Sequence, residues 1–319
     1  MKNFKCLLLE DISQLGKKLL DREFDFEIAI GQSRHDLLKK ISNYHVVVIK
    51  GSTIFDKEIF EAASNLKVIA RAGTGLDNID LDLAKSKKIK VISTPLANTN
   101  SAVEFTITQI LCASRNIKKA MEFVSKKDFR RSMIEGSEVQ GKVIGLIGLG
   151  SVGIGVAKIL KSFGADLIAY DPYTSYKDTF LDKLSGQITD DINDIAKNSN
   201  IISLHMNLTK NNKEIINSTF LKLTQYSPIL INSARGGLVD EKDVITALNE
   251  NKLSFYATDF MNPEPSYDDA LIAKDINHPF LEHPRVFYTP HVGASTIEAQ
   301  DRVAKELVES IIKYFKSEI

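Results

Sequence analysis

Residues 143–160 read VIGLIGLGSVGIGVAKIL, and this segment is the most informative in the chain. An apolar strand leads directly into the glycine pattern GLGSVG, and an apolar helix begins there. This order of strand, Gly-x-Gly-x-x-Gly turn and helix predicts a dinucleotide site. Gly148 would permit the tight turn, Gly150 would let a pyrophosphate approach the backbone, and Gly153 would let helix and strand pack closely. The alternative is a turn that needs its glycines for the bend alone.

An acidic residue, Asp171, comes directly after the next predicted strand, DLIAY (166–170). It lies about twenty residues beyond the glycines, where a carboxylate accepts hydrogen bonds from a ribose diol. Its negative charge would repel a 2'-phosphate, and the first basic residue after it is Lys177. The pattern therefore favours NAD over NADP. A simple turn made by Asp171 and Pro172 is the alternative.

Short apolar runs alternate with helical segments on both sides of this unit. The runs lie at 6–10, 46–50, 67–70, 90–92, 166–170, 200–205, 228–232 and 254–258. Such alternation predicts parallel sheets with helices packed on them. Helical spacing of apolar residues also predicts one long helix from Ser101 to about Val124 and another from about Ser295 to Phe315, with Ser295, Thr296 and Glu298 supplying the cap. We expect an α/β fold of two doubly wound, Rossmann-like parallel-sheet domains.

Composition excludes several function classes. The 319 residues are 43% hydrophobic and 26% charged, as is usual for a soluble enzyme. The 41 basic residues balance the 41 acidic ones, so no net charge favours nucleic acid or an anionic membrane. The apolar run at 6–9 is too short for a signal peptide or a membrane span, and we expect a cytoplasmic protein. Cys6 and Cys112 form no CxxC pair, so no metal site is expected.

Several residues that follow predicted strands have the chemistry for hydride transfer at a hydroxy acid. His291 would exchange the hydroxyl proton, and Arg235 would bind a carboxylate through its guanidinium. Glu264, in a Pro-rich loop, would orient the imidazole. Each has a structural alternative: a packing histidine, an arginine in a surface turn and an exposed loop glutamate. His205 also ends a strand and would either line the cofactor or act in catalysis directly.

These motifs, taken together, resemble those of the D-isomer-specific 2-hydroxyacid dehydrogenases over nearly the whole chain. They are RAGTGLDNID (71–80), NTNSAVE (98–104), GLGSVG (148–153), Asp171, SARGGLVD (233–240), Glu264 and TPHVGAS (289–295). The first motif and HVGASTIEAQDRV are also similar to members that oxidise D-3-phosphoglycerate. The resemblance implies an NAD-binding domain at residues 101–289, inserted in a substrate-binding domain formed by residues 1–100 and 290–319.

The resemblance also implies a role for individual residues. Arg235, Glu264 and His291 match the catalytic set. The implied NAD contacts are Gly148, Leu149, Gly150, Ser151, Val152, Gly153, Asp171, His205, Ser233, Ala234, Arg235, Asp259, His291 and Gly293. The implied substrate contacts are the backbone N–H groups of Gly73 and Thr74, the side chains of Arg235 and His291, and Arg71, which would bind a phosphate. A surface arginine at a strand end is the alternative for Arg71.

Two departures from the family pattern stand out. Asn207 replaces a proline in the usual HxPLT, and Phe260 and Met261 replace the Val and Phe of the usual DVF that precedes Glu264. Neither is expected to touch the charged residues, and the first would alter the loop over the cofactor without a large effect. Arg130 and Arg131 match a basic stretch that would reach a neighbouring subunit, since family members are usually dimers or tetramers. The chain as given ends at Ile319, so we expect no C-terminal serine-binding regulatory domain.

The expected activity is NAD-dependent oxidation of D-3-phosphoglycerate to 3-phosphohydroxypyruvate, a step of serine biosynthesis, with a histidine as acid and base. A reductase of hydroxypyruvate, glyoxylate or another 2-oxo acid is the alternative within the enzyme class, and it is favoured if Arg71 is dispensable. An NAD-sensing, corepressor-like interaction protein is the alternative from another class. The balanced charge and the absence of extra tails argue against that third possibility.

Overall fold

The structure, a computed structural model, describes residues 1–262 and 277–317. The chain divides into two compact units. Of the described residues, the first unit contains 1–99 and 294–317, and the second contains 100–262 and 277–293. The second unit is therefore an insertion, in chain order, between the two main segments of the first.

The first unit is built on a five-stranded parallel sheet. The strands are β1 (Lys5–Leu8), β2 (Asp25–Ile28), β3 (Val46–Ile49), β4 (Val68–Arg71) and β5 (Lys90–Ser93). The helices are α1 (Gln14–Glu23), α2 (Arg34–Lys40), α3 (Lys57–Ala62) and α4 (Leu81–Ser86), with a 3-10 turn at Ile41–Asn43. The strand order is β2-β1-β3-β4-β5, so the direction of winding reverses between β1 and β3. Loops at the carboxyl ends of these two strands flank the crevice in which doubly wound sheets bind ligands.

The C-terminal helix, Ile297–Ser317, belongs to this first unit. Its predicted cap is present, since the Thr296 hydroxyl accepts a hydrogen bond from the Ala299 N–H at 3.2 Å. A Cβ on Gly16 would lie 2.7 Å from the Cβ of Ala304, so α1 and this helix pack in close contact. Its buried face consists of Ala299, Val303, Ala304, Leu307, Val308, Ile311 and Phe315. Within residues 1–262 and 277–317, no helix combines the length and apolar character needed to cross a membrane.

The second unit is built on a seven-stranded parallel sheet. The strands are β6 (Val143–Ile147), β7 (Asp166–Tyr170), β8 (Gln187–Ile188), β9 (Ile201–Leu204), β10 (Ile229–Asn232), β11 (Phe255–Thr258) and β12 (Val286–Tyr288). The helices are α5 (Thr99–Ser114), α6 (Ile117–Ser125), α7 (Ser151–Ser162), α8 (Ile192–Asn198), α9 (Ser218–Lys222), α10 (Glu241–Asn249) and α11 (Pro279–Glu282). Short helical turns lie at Arg131–Met133, Thr179–Lys183 and Gly236–Leu238. The order β12-β11-β10-β9-β6-β7-β8 is that of a Rossmann sheet.

The prediction of two α/β units with parallel sheets is confirmed. Strands β9, β10 and β11 are buried along their whole length, as is usual where helices cover both faces of a parallel sheet. The edge strands β2 and β8 were not predicted. β2 has no fully buried residue and β8 has two residues, so neither produces a clear apolar run in the sequence.

The prediction of one helix from residue 101 to 124 was wrong, because α5 and α6 are separate. Asn116 lies between them with φ +52°, in the left-handed region that asparagine tolerates better than most residues. Its side-chain amide donates to the carbonyl oxygen of Glu135. The apolar spacing continues across this break, so the pattern alone did not reveal it.

Candidate active site

The glycine turn lies at the carboxyl end of β6, where the strand order of the second unit reverses. β6 pairs with β7 on one side and with β9 on the other. Gly148 has φ +101°, and a Cβ there would lie 2.8 Å from the carbonyl group of His205. A Cβ on Gly153 would collide with the carbonyl oxygen of Gly148. These two glycines are therefore required for the turn and for the close packing of α7.

Gly150 differs from its neighbours because the space beside it is open. A Cβ on Gly150 would have no heavy atom within 4 Å. The residue immediately precedes α7 and no side chain caps this helix. The free N–H groups and the dipole at a helix N-terminus bind phosphate. An open approach to an uncapped helix fits the pyrophosphate of a dinucleotide.

Asp171 connects the end of β7 to the glycine turn. Its Oδ2 accepts a hydrogen bond from the Leu149 N–H at 2.7 Å, and its Oδ1 accepts one from the Tyr173 N–H at 2.8 Å. The second bond forms the local turn that was the alternative interpretation of this residue. A carboxylate has about four acceptor positions, so these bonds leave capacity for ribose hydroxyls.

His205 follows β9, across the switch point from the glycine turn. Both ring nitrogens are buried and, within the described residues, have no hydrogen-bond partner. Burial lowers the pKa of His205 to about 4. The imidazole is therefore neutral at pH 7, which favours a role in lining the nucleotide over direct proton transfer. A buried polar group without a partner is destabilising, so a bound dinucleotide that offers one fits this position.

Arg235 lies in the loop after β10, and Asn232 fixes that loop. The Asn232 Oδ1 accepts hydrogen bonds from the N–H groups of Ala234 and Arg235 at 3.1 and 3.2 Å. Its Nδ2 donates to the carbonyl oxygen of Arg235 at 2.8 Å. The guanidinium of Arg235 donates to the carbonyl oxygen of Ala234 at 2.7 Å. Asn232 was not among the predicted residues, although a polar residue at the end of a buried strand is a visible signal.

Ser233 attaches the same loop to helix α5. Its hydroxyl donates to the Oε1 of Gln109 at 2.9 Å and accepts from the hydroxyl of Thr106 at 3.0 Å. Thr106 and Gln109 are fully buried. Sequence reasoning missed both, and their signal is the presence of polar residues on the apolar face of α5.

His291 lies in the loop after β12, and Asp259 organises that loop. His291 has φ +54°, an uncommon conformation for a residue with a side chain, and its N–H donates to the carbonyl oxygen of Asp259 at 3.0 Å. The Asp259 carboxylate accepts hydrogen bonds from the Thr289 hydroxyl at 2.6 Å, the Val292 N–H at 2.9 Å and the Gly293 N–H at 2.7 Å. Burial raises the pKa of Asp259 in spite of these bonds. The loop is thus built around one buried acid.

Phe260 contacts both predicted catalytic side chains of the second unit. Its ring centroid lies 4.4 Å from that of the His291 imidazole and 5.8 Å from the Cζ of Arg235. The prediction that neither departure touches the charged residues was wrong for Phe260. The structure therefore brings Arg235 and His291 together through a residue that the charge pattern did not indicate.

In the first unit, Arg71 ends β4 and packs against two glycines. A Cβ on Gly73, which has φ +142°, would collide with the Arg71 guanidinium, and a Cβ on Gly51 would lie 3.9 Å from it. The Gly73 N–H donates to the carbonyl oxygen of Arg71 at 2.9 Å, so the donor that we assigned to a substrate carboxylate is engaged in this turn. The Thr74 hydroxyl donates to the Oδ1 of Asn98 at 2.9 Å.

Three predicted residues are not among the contacts described above. Glu264 lies outside the described residues. Arg130 is exposed and forms an ion pair with Asp128 at 2.6 Å, which lowers the pKa of Asp128 to about 2. Arg131 is exposed as well and begins the short helical turn Arg131–Met133.

A family model identifies the second unit. Residues 107–293 match the model described as D-isomer specific 2-hydroxyacid dehydrogenase, NAD binding domain. The chain belongs to the D-isomer-specific 2-hydroxyacid dehydrogenase family. The matched region contains the glycine turn, Asp171, Arg235 and His291, and the cofactor of this domain is NAD.

Named relatives of the family are similar to nearly the whole chain. The sequence is 36% identical over 315 residues to D-3-phosphoglycerate dehydrogenase of Methanocaldococcus jannaschii, an alignment that covers 99% of this chain and 58% of that relative. It is 35% identical over 314 residues to hydroxypyruvate reductase of Thermotoga maritima, covering 98% and 99%. The chain thus spans somewhat more than half the length of the first relative and nearly all of the second.

Solved structures of the family have the same fold. The structure of D-lactate dehydrogenase from Aquifex aeolicus, complexed with NAD and lactic acid, is similar with a TM-score of 0.87 and 25% sequence identity. The alignment covers 98% of this chain and 96% of that one. D-lactate dehydrogenase from Escherichia coli is similar with a TM-score of 0.82 at the same identity, covering 98% and 97%.

Proposed function

We propose that this chain is an NAD-dependent D-2-hydroxyacid dehydrogenase and that it oxidises D-3-phosphoglycerate to 3-phosphohydroxypyruvate in serine biosynthesis. The observation that carries the proposal is the packing of Arg235 and His291 on one ring within the NAD-binding unit. The similarity to a phosphoglycerate dehydrogenase supports the substrate. The similarity to a hydroxypyruvate reductase supports the alternative, reduction of an unphosphorylated 2-oxo acid.

The proposed reaction uses an acid–base group, His291, in the loop after β12 and a cation, Arg235, in the loop after β10. Bound NAD would supply the acceptor for the hydride that leaves C2 of the hydroxy acid. His291 takes the proton of the C2 hydroxyl group, so that the C–O bond becomes a carbonyl, and returns a proton in the reverse direction. Arg235 binds the substrate carboxylate and the C2 oxygen, which places that oxygen beside the imidazole. The products are the 2-oxo acid, NADH and the proton left on His291.

Other residues of the NAD-binding unit would hold the cofactor. Gly148, Gly150 and Gly153 shape the approach to the N-terminus of α7, where the pyrophosphate would bind. Asp171 would accept the ribose hydroxyls. We assign the nicotinamide end to the loop from Ser233 to Arg235, with Asp259 holding the second loop in place. Glu264 would orient the His291 imidazole, as its position in the family motif implies.

The choice of a phosphorylated substrate depends on Arg71. This residue is a cation at the carboxyl end of β4, and its guanidinium lies over Gly73 and beside Gly51. A carboxylate needs one cation, which we assign to Arg235. A second guanidinium, packed in the space that Gly73 leaves open, supports a substrate with a second anionic group, and a phosphate meets that requirement.

The test is NADH consumption by the purified protein with phosphohydroxypyruvate, hydroxypyruvate, glyoxylate and pyruvate. Wild type, Arg71→Ala and Arg34→Ala are compared. Arg34 is the matched control, because it lies in the same unit and forms surface ion pairs with Asp56 and Glu58. We expect a preference for phosphohydroxypyruvate that Arg71→Ala abolishes and Arg34→Ala preserves.

Two outcomes would change the proposal. Equal or faster turnover of an unphosphorylated acid, unaffected by Arg71→Ala, would make the protein a general 2-oxo acid reductase. No turnover of any of the four acids, by a protein that binds NADH, would reject the dehydrogenase assignment. A partner captured only in the presence of NAD would then support the interaction-protein alternative.

We also propose that the protein forms a homodimer or homotetramer. Helix α6 has no buried residue, yet it carries apolar side chains at helical spacing. Further exposed apolar residues follow the helix in sequence. The exposed apolar residues of the helix and of the segment after it are Ile117, Met121, Val124, Phe129 and Met133. An exposed apolar patch of this kind is typical of a protein interface. Light scattering of wild type and of the Met121→Asp/Phe129→Asp double variant tests this, and a monomeric wild type would refute it.

A further inference from the structure

We infer that Phe260 is a positioning residue that holds Arg235 and His291 at a fixed spacing for the reaction. The inference rests on the proposed function and concerns a position where the family pattern has valine. Phe260 is 2% exposed. Its ring contacts both a guanidinium and an imidazole, which come from two different loops.

The order of the strands in the sheet explains how the Phe260 side chain reaches both Arg235 and His291. Strand β11 pairs with β10 on one side and with β12 on the other, all in parallel. Arg235 follows β10, Phe260 follows β11 and His291 follows β12. The three side chains therefore leave the same edge of the sheet from adjacent strands, with the aromatic ring in the middle.

The backbone of Phe260 is fixed independently of the two charged residues. Its N–H donates to the Thr258 hydroxyl at 3.1 Å, and its carbonyl oxygen accepts from the same hydroxyl at 2.8 Å. That hydroxyl also lies 3.2 Å from the carbonyl oxygen of Asn232. Thr258 is fully buried at the end of β11. The backbone that carries the ring is thus fixed to the end of the strand. The side chains of Arg235 and His291 therefore pack on a ring whose position is restricted.

Both partners of the ring need such support. Arginine loses considerable rotamer freedom when it is held in one geometry, and His291 is exposed in a loop with a left-handed backbone conformation. The ring face attracts a guanidinium electrostatically, and an imidazole packs on its apolar surface. Leucine or valine would supply less area and no π face. The consequence of losing the ring is a looser spacing between the group that binds the carboxylate and the group that moves the proton.

The kinetic test compares wild type, Phe260→Leu, Phe260→Tyr and Phe220→Leu. Phe220 is the control, a buried phenylalanine in α9 of the same unit, 3% exposed. We expect Phe260→Leu to lower kcat/KM for the best 2-oxo acid by about 10- to 100-fold, the range for a small misplacement of reacting groups. The affinity for NADH should be unchanged. Phe260→Tyr, which keeps the ring, should restore most of kcat, and Phe220→Leu should keep wild-type kcat.

A second measurement does not need turnover. In ¹³C-histidine-labelled protein, the ring protons of His291, assigned with His291→Gln, should be shifted upfield of those of exposed His35 by the Phe260 ring current. The shift should be lost in Phe260→Leu. Wild-type kcat and KM in Phe260→Leu, or no upfield shift in wild type, would overturn the inference. A wild-type protein that shows the shift but reduces no 2-oxo acid would reject the proposed function and leave the positioning geometry standing.

Discussion

The backbone N–H of His291 donates to the carbonyl oxygen of Asp259 at 3.0 Å, while the side chain of Asp259 accepts hydrogen bonds from the two residues that follow His291. One buried residue therefore holds the loop on both sides of the proposed acid–base group. The uncommon backbone conformation of His291, with φ +54°, persists because these bonds fix the segment around it.

Replacing His291 with alanine tests the proton transfer directly. We expect kcat to fall by about 10²- to 10⁴-fold, the usual range for loss of a general acid–base group, with NADH affinity retained. Steady-state kinetics and NADH titration measure the two quantities. His35→Ala, at an exposed histidine of α2, should leave both unchanged. Near-normal turnover by His291→Ala would remove this residue from the mechanism.

Replacing Asp259 with asparagine tests the architecture of the loop. Asparagine offers one acceptor oxygen and an NH2 group in place of two acceptors, so a backbone N–H in the loop would face a donor. We expect a loss of about 1–3 kcal/mol in the free energy of unfolding, the cost of an unsatisfied buried donor, and a lower kcat. Urea unfolding and kinetics measure these, with the exposed Asp178→Asn as control.

The pH dependence of that variant follows from the raised pKa of Asp259. Because the folded-state pKa lies above its ordinary value of 3.8, the protonated acid favours the folded state. The stabilisation of the folded state by protonated Asp259 is fully present below the unfolded-state pKa, and it is lost as the pH rises through the folded-state pKa. Asp259→Asn should abolish this component of the stability profile. An identical profile in the variant would count against the assignment.

The glycine turn offers a matched pair of substitutions. Gly150→Ala places a methyl group in open space, so we expect an unchanged melting temperature and an increase of about tenfold or more in the Kd for NADH, which corresponds to 1.4 kcal/mol. Gly153→Ala would collide with the Gly148 carbonyl oxygen, and we expect a stability loss of about 1–3 kcal/mol. Calorimetry and NADH fluorescence distinguish the two. Normal NADH binding by a folded Gly150→Ala protein would argue against a pyrophosphate at this position.

Glu10 provides a prediction for the first unit. Its carboxylate accepts hydrogen bonds from the N–H groups of Gly51, Ser52 and Thr53 at 2.9 to 3.0 Å. Burial raises the pKa of Glu10, but these backbone bonds outweigh burial and lower it. Glu10→Gln should lower the stability of the unit at pH 7 by about 1.5–3 kcal/mol, the value of hydrogen bonds to a charged group.

The direction of the pKa shift of Glu10 determines the pH range in which its carboxylate stabilises the folded state. A lowered folded-state pKa means that the stabilisation is present above the unfolded-state pKa, ordinarily 4.5, and is lost as the pH falls through the folded-state value. The difference between wild type and Glu10→Gln should therefore shrink below pH 4.5. Urea unfolding over a pH series measures it, with the exposed Glu61→Gln as control. A difference that stays constant with pH would show that the charge is not responsible.

Much of the site was predictable from local sequence. Arg235 follows the buried strand β10 and His291 follows the edge strand β12. Parallel strands present their carboxyl ends at one edge of the sheet, so a polar or charged residue in that position is a visible signal. The prediction of a single long helix was wrong, because Asn116, which has a left-handed backbone conformation, separates α5 from α6 without disturbing their apolar spacing. Edge strand β2 was missed because it has no fully buried residue.

The sequence by itself determined the α/β class, the turn that requires Gly148 and Gly153, and the residue types of the proposed chemistry. These depend on periodicity, backbone conformation and charge, which act over a few residues. Only the tertiary structure decided that Phe260 joins Arg235 to His291 and that Asp259 organises the His291 loop. Those relationships arise from the pairing of β10, β11 and β12, whose residues are distant in the chain and adjacent only in the sheet.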